Sequence, residues 1–496
     1  MLKRGANKAW LIGKAQKPVT ERFASRGTYL AVAVAAVCGA VLLWRFPALA
    51  LQYGGGTFVV AYSVALLVIA FPLLVLEVAL GQQAQRAAPR AMRRQQIRME
   101  WLGWAGTLVA FVVLCLNVVV AIWALTYGVN AAQAAIQLPE VLPWDADPAA
   151  FLTRELFGRE LSTGTTWAFP RLTVFLALGA LWGVLALLVA GGPRVFGEVL
   201  RYLLPLLAVL LLIFVARALL LSTDPQLGGV HGLDWALSVE FARLGSAELW
   251  IAAVSHALLA CGLCVGVHIA LAANLPREVD VANNARVVGL IGATVTLITY
   301  LAVASLLGIL ALHDLRLVSD LPALFTESPA DGIGVLLLMI PQALLLTDAG
   351  TESLLIRALF SAVFFFAVAG FALAVATVLL HAVSAAIREK WALARWRITA
   401  VVAILGGAIT TAMLGFVDWS WFNAIDRWVV GTALLLIALL QCITLGWFSG
   451  IRRVRRGINR VSEQSVSIGW EICIRLLAPL MLIALLVNSV TRMFGG

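Results

Sequence analysis

Eleven long apolar runs constrain this chain more than any other feature of its sequence. An α-helix needs about 20 predominantly apolar residues to cross the hydrocarbon core of a bilayer. The runs lie near residues 28–51, 57–81, 103–136, 171–190, 196–222, 248–272, 285–312, 353–386, 398–415, 424–448 and 470–491. Charged residues make up only 12% of the chain, whereas they make up about a quarter of a soluble domain. The sequence therefore predicts an all-α polytopic membrane protein with about 11 transmembrane helices.

The charged residues lie between these runs and predict the orientation of the chain. A formal net charge of +10 suits a nucleic-acid-binding protein, but the arginines are concentrated in alternate connections, at 86–98, 388–397 and 452–460. The connection 137–170 is mainly acidic. This distribution is the positive-inside pattern of membrane proteins. We therefore expect a multi-pass protein of the inner (plasma) membrane, in contact with lipid, with a cytoplasmic N-terminus, an external C-terminus and no nucleic-acid partner.

Small residues interrupt spans one and six near their middles. The first span contains "VCGAV" at 37–41 and the sixth contains "ACGLCVG" at 260–266. Glycines in a membrane helix permit close packing of a neighbouring helix without unwinding, but they also mark discontinuous helices whose main-chain groups bind solutes and ions. Because the two interruptions lie at matching positions five spans apart, we predict that both helices are broken.

An arginine follows the first interruption. Arg45 lies inside the apolar run and is followed by Pro47. A charged side chain in hydrocarbon is costly unless it is paired or hydrated. Arg45 therefore predicts an acidic partner or a water-filled cavity beside span one.

The chain resembles the neurotransmitter:sodium symporter family, in chain order, from about residue 20 to its C-terminus. The eleven-span count is common among bacterial members of that family. The matching segments are "RFPALALQYGGGTF", the Glu77–Gly81 end of span two, "LGWAGTLVAFVVLCLNVVVAIWALTYG", "RYLLPLLAVLLL", "FAVAGFALAV", "GIRRVRRGINRVS" and "GWEICIRLLAPLML". The resemblance implies an inverted five-helix-repeat transporter bundle with broken helices 1 and 6 and alternating access to a central site.

The same resemblance implies a division of the chain into six parts. They are a cytoplasmic N-terminal tail at 1–26, a first repeat of spans one to five at 27–222, an outer loop at 223–247, a second repeat of spans six to ten at 248–448, a basic cytoplasmic loop at 449–469, and the last span with the C-terminus at 470–496. The stretch 313–352 is expected to be an outer loop with re-entrant or surface helices.

The resemblance also supplies a partner for Arg45. The family's arginine forms an outer gate with an aspartate of span ten, which corresponds to Asp426, and His256 lies where the family has a glutamine that touches this gate. A structural ion pair between two helices is compatible with gating. Glu77 corresponds to a glutamate that holds the unwound part of span six, and a proton-carrying role is its alternative.

The expected solute site is almost free of polar side chains. Backbone N–H groups near Gly39, Ala40 and Val41, at the start of the outer half-helix, are expected to bind a substrate carboxylate. Asn117 replaces the tyrosine that holds this carboxylate in the family. The remaining residues expected to line the site are Val113, Leu259, Gly262, Val265 and Leu373.

The family's two sodium sites are expected to be degraded, because a hard cation takes oxygen ligands. Side-chain oxygens of the first site are lost at Leu42, Ala260 and Gly292. The paired hydroxyls of the second site are lost at Ala372 and Leu373. Only backbone carbonyls near Ala36, Cys38 and Ala369 remain.

Four further positions bear on gating and coupling. The inner-gate residues of the family are replaced by Thr20 and Phe23, which predicts a weaker inner lock. His268 and His381, in the inner halves of spans six and eight, could carry protons because imidazole titrates near neutral pH. A histidine bonded to a nearby carbonyl is the structural alternative for each.

We therefore expect a secondary transporter of amino acids or related small organic solutes, a sodium symporter by resemblance but with weak or absent sodium coupling. A sodium-independent transporter, proton-coupled or facilitative, and a non-transporting solute-binding or sensor protein are the alternatives. An enzyme is not expected, and neither is a cofactor other than a coupling ion. The protein is expected to be a monomer or a homodimer.

Overall fold

The computed structural model describes residues 21–139, 141–145, 147–158, 165–221, 229–313, 332–346, 354–417 and 420–494. The N-terminal tail before Glu21, including Thr20, lies outside these residues, as do parts of the connections at 137–170, 223–247 and 313–352. The described part of the chain is almost wholly helical.

The helices alternate between long membrane-crossing elements and short connecting ones. The first half contains α1 (Arg26–Val37), α2 (Val41–Tyr53), α3 (Gly56–Ala84), α4 (Ala88–Gln95), α5 (Glu100–Gln137), α6 (Pro148–Phe157), α7 (Leu172–Ala190), α8 (Gly192–Leu221) and α9 (Gly229–Leu237). The second half contains α10 (Ala247–Ala260), α11 (Val267–Ala272), α12 (Val281–His313), α13 (Val335–Leu345), α14 (Leu354–Trp391), α15 (Arg395–Gly415), α16 (Trp421–Phe448), α17 (Ile451–Asn459) and α18 (Ile468–Ser489).

The predicted all-α membrane architecture is confirmed. Among the described residues, 10 helices are long and apolar enough to cross a membrane, with α1 and α2 counted together as span one. The remaining predicted run, span six, forms α10 and α11, each too short to cross alone. Every apolar run of the sequence therefore corresponds to a helix or a pair of half-helices.

Burial separates central spans from peripheral ones. In spans one, three and eight, 72% of the most apolar stretch is buried inside the protein, against 33% in α7 and α8 and 28% in α18. A helix that is apolar all round but buried on one side presents its other side to lipid. Spans one, three and eight therefore form the centre of the bundle, and α7, α8 and α18 face the membrane.

Both predicted helix breaks are present, so the alternative of unbroken helices packed through small residues is wrong. Span one is unwound at 38–40, where Cys38 ends α1 with φ −105° and ψ 59°. Span six is unwound at 261–266, where Gly262, Cys264 and Gly266 all have positive φ values of 60–73°. Glycine adopts this left-handed conformation without steric penalty, which explains why two of the three positions are glycines.

Two glycines allow neighbouring helices to lie in close contact with span six, at its break and just after it. A Cβ atom on Gly81 of α3 would overlap the Ile269 carbonyl, and one on Gly106 of α5 would lie 2.6 Å from the Cys264 carbonyl. Any larger side chain at either position would push its helix away. Span three is therefore held directly against the unwound part of span six, and span two is held against the half-helix α11 that follows it.

The described part of the connection 313–352 is a buried helix rather than a surface one. Ile333, Leu336 and Leu337 in and before α13 have no exposed surface. The Tyr127 hydroxyl donates a hydrogen bond of 2.7 Å to the Leu337 carbonyl, and Trp144 donates one of 3.2 Å to the Pro341 carbonyl. The helix α13 is therefore anchored to α5 and to the connection that follows it.

Candidate functional site

A cavity of about 60 Å³ lies between the two breaks. Spans one, three, six, eight and ten all contribute to its wall. A cavity of 10–15 Å³ in this measure holds one water molecule, so the space corresponds to roughly four waters. This volume suits a small solute.

Eight of the nine residues predicted to line the solute site do line this cavity. They are Gly39, Ala40, Val41, Val113, Asn117, Leu259, Gly262 and Val265. The ninth, Leu373, is not among the residues that line it. Span eight contributes Val375, Val378 and Leu379 instead, because these residues lie further along α14 at the depth of the breaks. Sequence alone could not set this register, since α14 is apolar on every face.

The polar partners that the wall offers are main-chain groups, the Asn117 amide and the Asp426 carboxylate. The helix α2 begins beside the cavity, and its N-cap residue Ala40 provides no side-chain cap. The N–H groups of Leu42 and Leu43 donate to the Gly39 and Ala40 carbonyls, so the N–H groups before Leu42 are the ones that can bind a solute at this partly positive helix end. Asn117 donates a hydrogen bond of 2.8 Å to the Val113 carbonyl of its own helix. The start of α2 is therefore the main anion-binding feature of the cavity.

Arg45 and Asp426 form the predicted ion pair next to this cavity. Arg45 Nε donates to Asp426 Oδ1 at 2.9 Å and Nη2 donates to Oδ2 at 3.0 Å. The Arg45 side chain is 5% exposed and that of Asp426 is 32% exposed. Two parallel bonds of this kind hold both planar groups in one orientation. The pair thus joins α2 to α16 at the mouth of the site.

His256 of span six contacts the same arginine. Arg45 Nη1 lies 3.3 Å from His256 Nδ1. A guanidinium has only donors, so His256 Nδ1 must accept, and the imidazole is the neutral tautomer with its proton on Nε2. The Phe46 ring packs on this imidazole at 5.2 Å, between centroids. His256 therefore contacts the arginine as the resemblance predicted.

Trp44 and Phe422 close the cavity beside the ion pair. Both line the cavity, and their ring centroids are 5.5 Å apart in an edge-on arrangement. Trp44 precedes Arg45 on α2, and Phe422 lies one helical turn before Asp426 on α16. The aromatic pair and the ion pair together separate the cavity from the space beyond Asp426. Sequence reasoning missed both rings, although the position of Trp44 beside Arg45 could have indicated one of them.

Glu77 holds the unwound segment of span six. Its side chain has no exposed surface, and Oε1 accepts a hydrogen bond of 2.9 Å from the Cys264 backbone N–H. An N–H group in an unwound membrane segment needs such a partner, because no water is present to replace it. This geometry agrees with the hydrogen-bonding role predicted for Glu77.

The side chains at the positions predicted for the two sodium sites carry no oxygen atom. The predicted positions Leu42, Ala260, Gly292, Ala369, Ala372 and Leu373 present only hydrocarbon or hydrogen as side chains. A Cβ on Gly292 would lie 3.1 Å from Val37 Cβ, so that position faces a hydrocarbon side chain of span one. A hard cation that loses its water requires about six oxygen ligands. Backbone carbonyls near Ala36, Cys38 and Ala369 are the donors that the prediction leaves at these sites.

His268 lies within the inner half of span six, and His381 of span eight lies against the end of that half-helix. His268 Nε2 lies 2.8 Å from the Cys261 carbonyl and donates to it, and no described group partners its buried Nδ1. Asn274, just beyond α11, donates to His381 Nε2 at 3.4 Å. His268 is therefore bonded to the break itself, whereas His381 contacts the end of the half-helix.

The segment before α1 is fastened at the arginine-rich side of the protein, the side that carries Arg388 and Arg395. Glu21 contacts Arg388 at 3.5 Å and also Arg395. Arg22 donates to the Leu275 carbonyl at 2.7 Å. Phe23 packs against Tyr29 and Phe196. Glu21 and Arg22 thus connect span one to the ends of spans six, eight and nine.

We expect Glu21→Gln to loosen this connection modestly. Glu21 is 42% exposed, and exposed ion pairs contribute about 0.2–1 kcal/mol. Opening of the arginine-rich side should then become about two- to fivefold more frequent. The measurement is the rate at which a water-soluble maleimide modifies Cys38 and Cys261, which are buried at the two breaks. Glu278→Gln, at an exposed position on the same side, is the matched control, and equal rates in both variants would contradict the assignment.

Comparison with known proteins agrees with this architecture. The model of the sodium:neurotransmitter symporter family matches residues 20–166 and 150–495. An uncharacterized sodium-dependent transporter of Methanocaldococcus jannaschii is 26% identical over 485 residues, which cover 96% of this chain and 92% of the relative.

Two mammalian relatives are similar over part of the chain. The sodium-dependent neutral amino acid transporter B(0)AT3 of Mus musculus is 27% identical over 304 residues, covering 58% of this chain and 48% of the relative. A Homo sapiens protein, named an inactive sodium-dependent neutral amino acid transporter B(0)AT3, is 27% identical over 310 residues, covering 58% of this chain and 47% of the relative. Since the family model matches nearly the whole chain, this protein belongs to the sodium:neurotransmitter symporter family, whose members are membrane transporters and not enzymes.

Proposed function

We propose that this protein is a secondary transporter of small neutral amino acids with weak or absent coupling to sodium. The observation that carries the proposal is the cavity between the two breaks, which is lined mainly by hydrocarbon, together with one amide, the Asp426 carboxylate of the ion pair and the start of α2. A zwitterion with a small apolar side chain matches this wall, because its carboxylate suits the helix N-terminus. The B(0)AT3 relative is named a neutral amino acid transporter, which supports the same class.

Contacts at the two ends of the central cavity support alternating access, in which a solute enters from one side and leaves from the other. The Arg45–Asp426 pair closes one end, and the Glu21 and Arg22 contacts fasten the other. Both can open by separation of half-helices without unfolding a span. We propose that the arginine-rich side is cytoplasmic, as the positive-inside rule requires, and that 27–222 and 248–448 are the two inverted repeats.

Weak sodium coupling follows from the loss of ligands. A symporter transmits the energy of an ion gradient only if it binds the ion, and the hydrocarbon side chains around the breaks supply no oxygen for this purpose. Two of the relatives are named sodium-dependent transporters. The proposal of weak sodium coupling therefore rests on particular residues of this chain and not on its family.

The test is uptake of radiolabelled alanine into proteoliposomes, with an imposed sodium gradient and with potassium or choline in its place. We expect alanine to be accumulated or exchanged and the three salts to change the initial rate by less than about twofold, equivalent to about 0.4 kcal/mol. Uptake that requires sodium would overturn the coupling proposal. Failure of alanine, serine and leucine to enter at all would overturn the transport proposal.

A variant can restore oxygen ligands to the first site. Leu42→Asn combined with Ala260→Thr places an amide and a hydroxyl where the family carries them. We expect sodium to stimulate alanine uptake more in this variant than in the unaltered protein. The matched control is Ala260→Val alone, because valine has nearly the same shape as threonine and no oxygen.

Proton coupling is the second candidate, and one observation favours it. His268 Nε2 is bonded to the Cys261 carbonyl in the break, while its Nδ1 has no described partner. Charging this imidazole would alter the main-chain contact that shapes the site. In the same liposomes, an imposed proton gradient should then drive uptake in the unaltered protein and not in His268→Gln, whereas an equal response in both would exclude this route.

A further inference from the structure

A second cavity lies beside the gate and shares none of the residues that line the first. Its volume is about 200 Å³, against about 60 Å³ for the central cavity. Pro47 and Leu51 of α2, Trp235 of α9, and Tyr300, Ala304 and Leu307 of α12 form most of its wall. The cavity thus lies between span one, span seven and the connecting helix α9.

The wall of this second cavity is chemically suited to an apolar molecule. Aliphatic side chains and aromatic rings dominate it, and the Tyr300 hydroxyl already donates a hydrogen bond of 3.2 Å to the Ala236 carbonyl. His231, which is exposed, contributes the remaining titratable group. The cavity is only partly enclosed, so a molecule can enter it from the surface near His231. An apolar cavity of about 150 Å³ stays dry and binds benzene.

We propose that this second cavity is a binding site for a compact apolar molecule about the size of one or two aromatic rings, with a single polar group directed to His231. The volume accommodates such a molecule, and the wall has no charged group deep inside to require a counter-ion. The carboxylate of the proposed solute is poorly matched to this wall, because no lysine or arginine among the described residues lines it.

The second cavity is mechanically linked to the gate through α2. Arg45 of the ion pair and Pro47 of the cavity wall lie two residues apart on this helix. Phe46, between them, packs against Tyr300 of the cavity at 5.1 Å and against His256 of the gate at 5.2 Å, between centroids. Opening the gate requires Arg45 to leave Asp426, so α2 must move relative to its neighbours.

A molecule wedged between α2, α9 and α12 would oppose this movement. It would therefore slow transport without competing for the central cavity. This effect on transport rests on the proposed function, whereas binding to the second cavity does not.

Indole is a suitable probe for binding to the purified protein. We expect a saturable rise in the midpoint of thermal unfolding of about 2–4 °C, since a ligand of the folded state stabilises it by mass action. Ala311→Leu and Ala304→Val add methyl groups to the wall and should weaken indole binding by about tenfold or more. Ala177→Leu, on the exposed face of α7, is the matched control and should leave the indole effect unchanged.

Transport provides the second measurement. Indole should lower the maximal rate of alanine uptake without changing the half-saturating alanine concentration, and Ala311→Leu should remove the inhibition. An equal thermal shift in Ala311→Leu, Ala304→Val and Ala177→Leu would show that indole acts through the detergent or the lipid and would overturn the proposal. So would the absence of a saturable shift.

Photo-crosslinking tests the same site if the variants Ala311→Leu and Ala304→Val fold poorly. An aryl diazirine applied to the unaltered protein should label peptides from 229–237 and 300–311, with indole protecting them. Labelling spread over the lipid-facing helix α7, without protection by indole, would contradict the site. If binding is found but alanine is not transported, the site stands and the proposed function fails.

Discussion

Asp426→Asn is expected to reduce alanine uptake by about tenfold or more. The change removes the counter-charge of Arg45, whose side chain is 5% exposed. Breaking a fully buried pair from one side costs about 3–5 kcal/mol. Because the Asp426 side chain is 32% exposed, water screens part of the interaction, and we expect about 1–3 kcal/mol here. The loss should appear both in uptake and in the midpoint of thermal unfolding.

A double-mutant cycle measures the interaction energy between Arg45 and Asp426 separately from the effect of each single substitution. Arg45→Gln combined with Asp426→Asn leaves two neutral amides in contact, so the double variant should be less impaired than the two single effects predict. A coupling of about 1 kcal/mol or more is expected for atoms in direct contact. Arg427→Gln removes an exposed arginine beside Asp426 and should transport normally. A coupling near zero would show that the ion pair is not a gate element.

Glu77→Ala is expected to cause the second large effect, a loss of about 2–5 kcal/mol in stability together with loss of uptake. The substitution leaves the Cys264 N–H without its acceptor and opens a cavity in a fully buried position. An unmet buried donor costs about 1–3 kcal/mol, and removal of buried side-chain atoms adds to it. Thermal unfolding in detergent measures the loss of stability, and alanine uptake measures the loss of transport.

Glu77→Gln distinguishes the two roles considered for this residue. The glutamine oxygen can accept the same bond from Cys264, so a hydrogen-bonding role predicts near-normal stability and uptake. A proton-carrying role predicts a stable protein whose uptake no longer responds to pH. Thr107→Ala is the control for loss of a buried hydrogen bond, because Thr107 bonds only to the Gly103 carbonyl of its own helix. Equal loss in Glu77→Gln and Glu77→Ala, without a pH effect, would contradict both roles.

Much of the site could be predicted because local sequence determines where a membrane helix cannot continue. Gly39, Gly262 and Gly266 mark both breaks, since the bilayer leaves few ways to satisfy freed main-chain groups. Once the breaks are known, residues at the same depth in spans three and six follow from helical geometry. The pairing of Arg45 with Asp426 came from the resemblance, because 381 residues separate the two partners.

Other features depend on contacts that no local pattern indicates. Leu373 was placed in the wall of the site, but Val375, Val378 and Leu379 are there instead. A helix that is apolar on all sides has no amphipathic period to show which face points inward. The Trp44–Phe422 contact, the Glu21 contacts and the cavity beside α9 likewise arise where distant segments meet.

The sequence alone determined that this chain crosses a membrane about eleven times and where two of its helices break. These properties follow from hydrophobicity, glycine and side-chain chemistry, which each residue carries by itself. Only the tertiary structure decided which face of α14 lines the site, how Glu21 fastens the arginine-rich side, and where a second cavity opens. The reason is that packing among similar apolar helices is set by the fit of whole surfaces, and no single stretch of sequence contains that information.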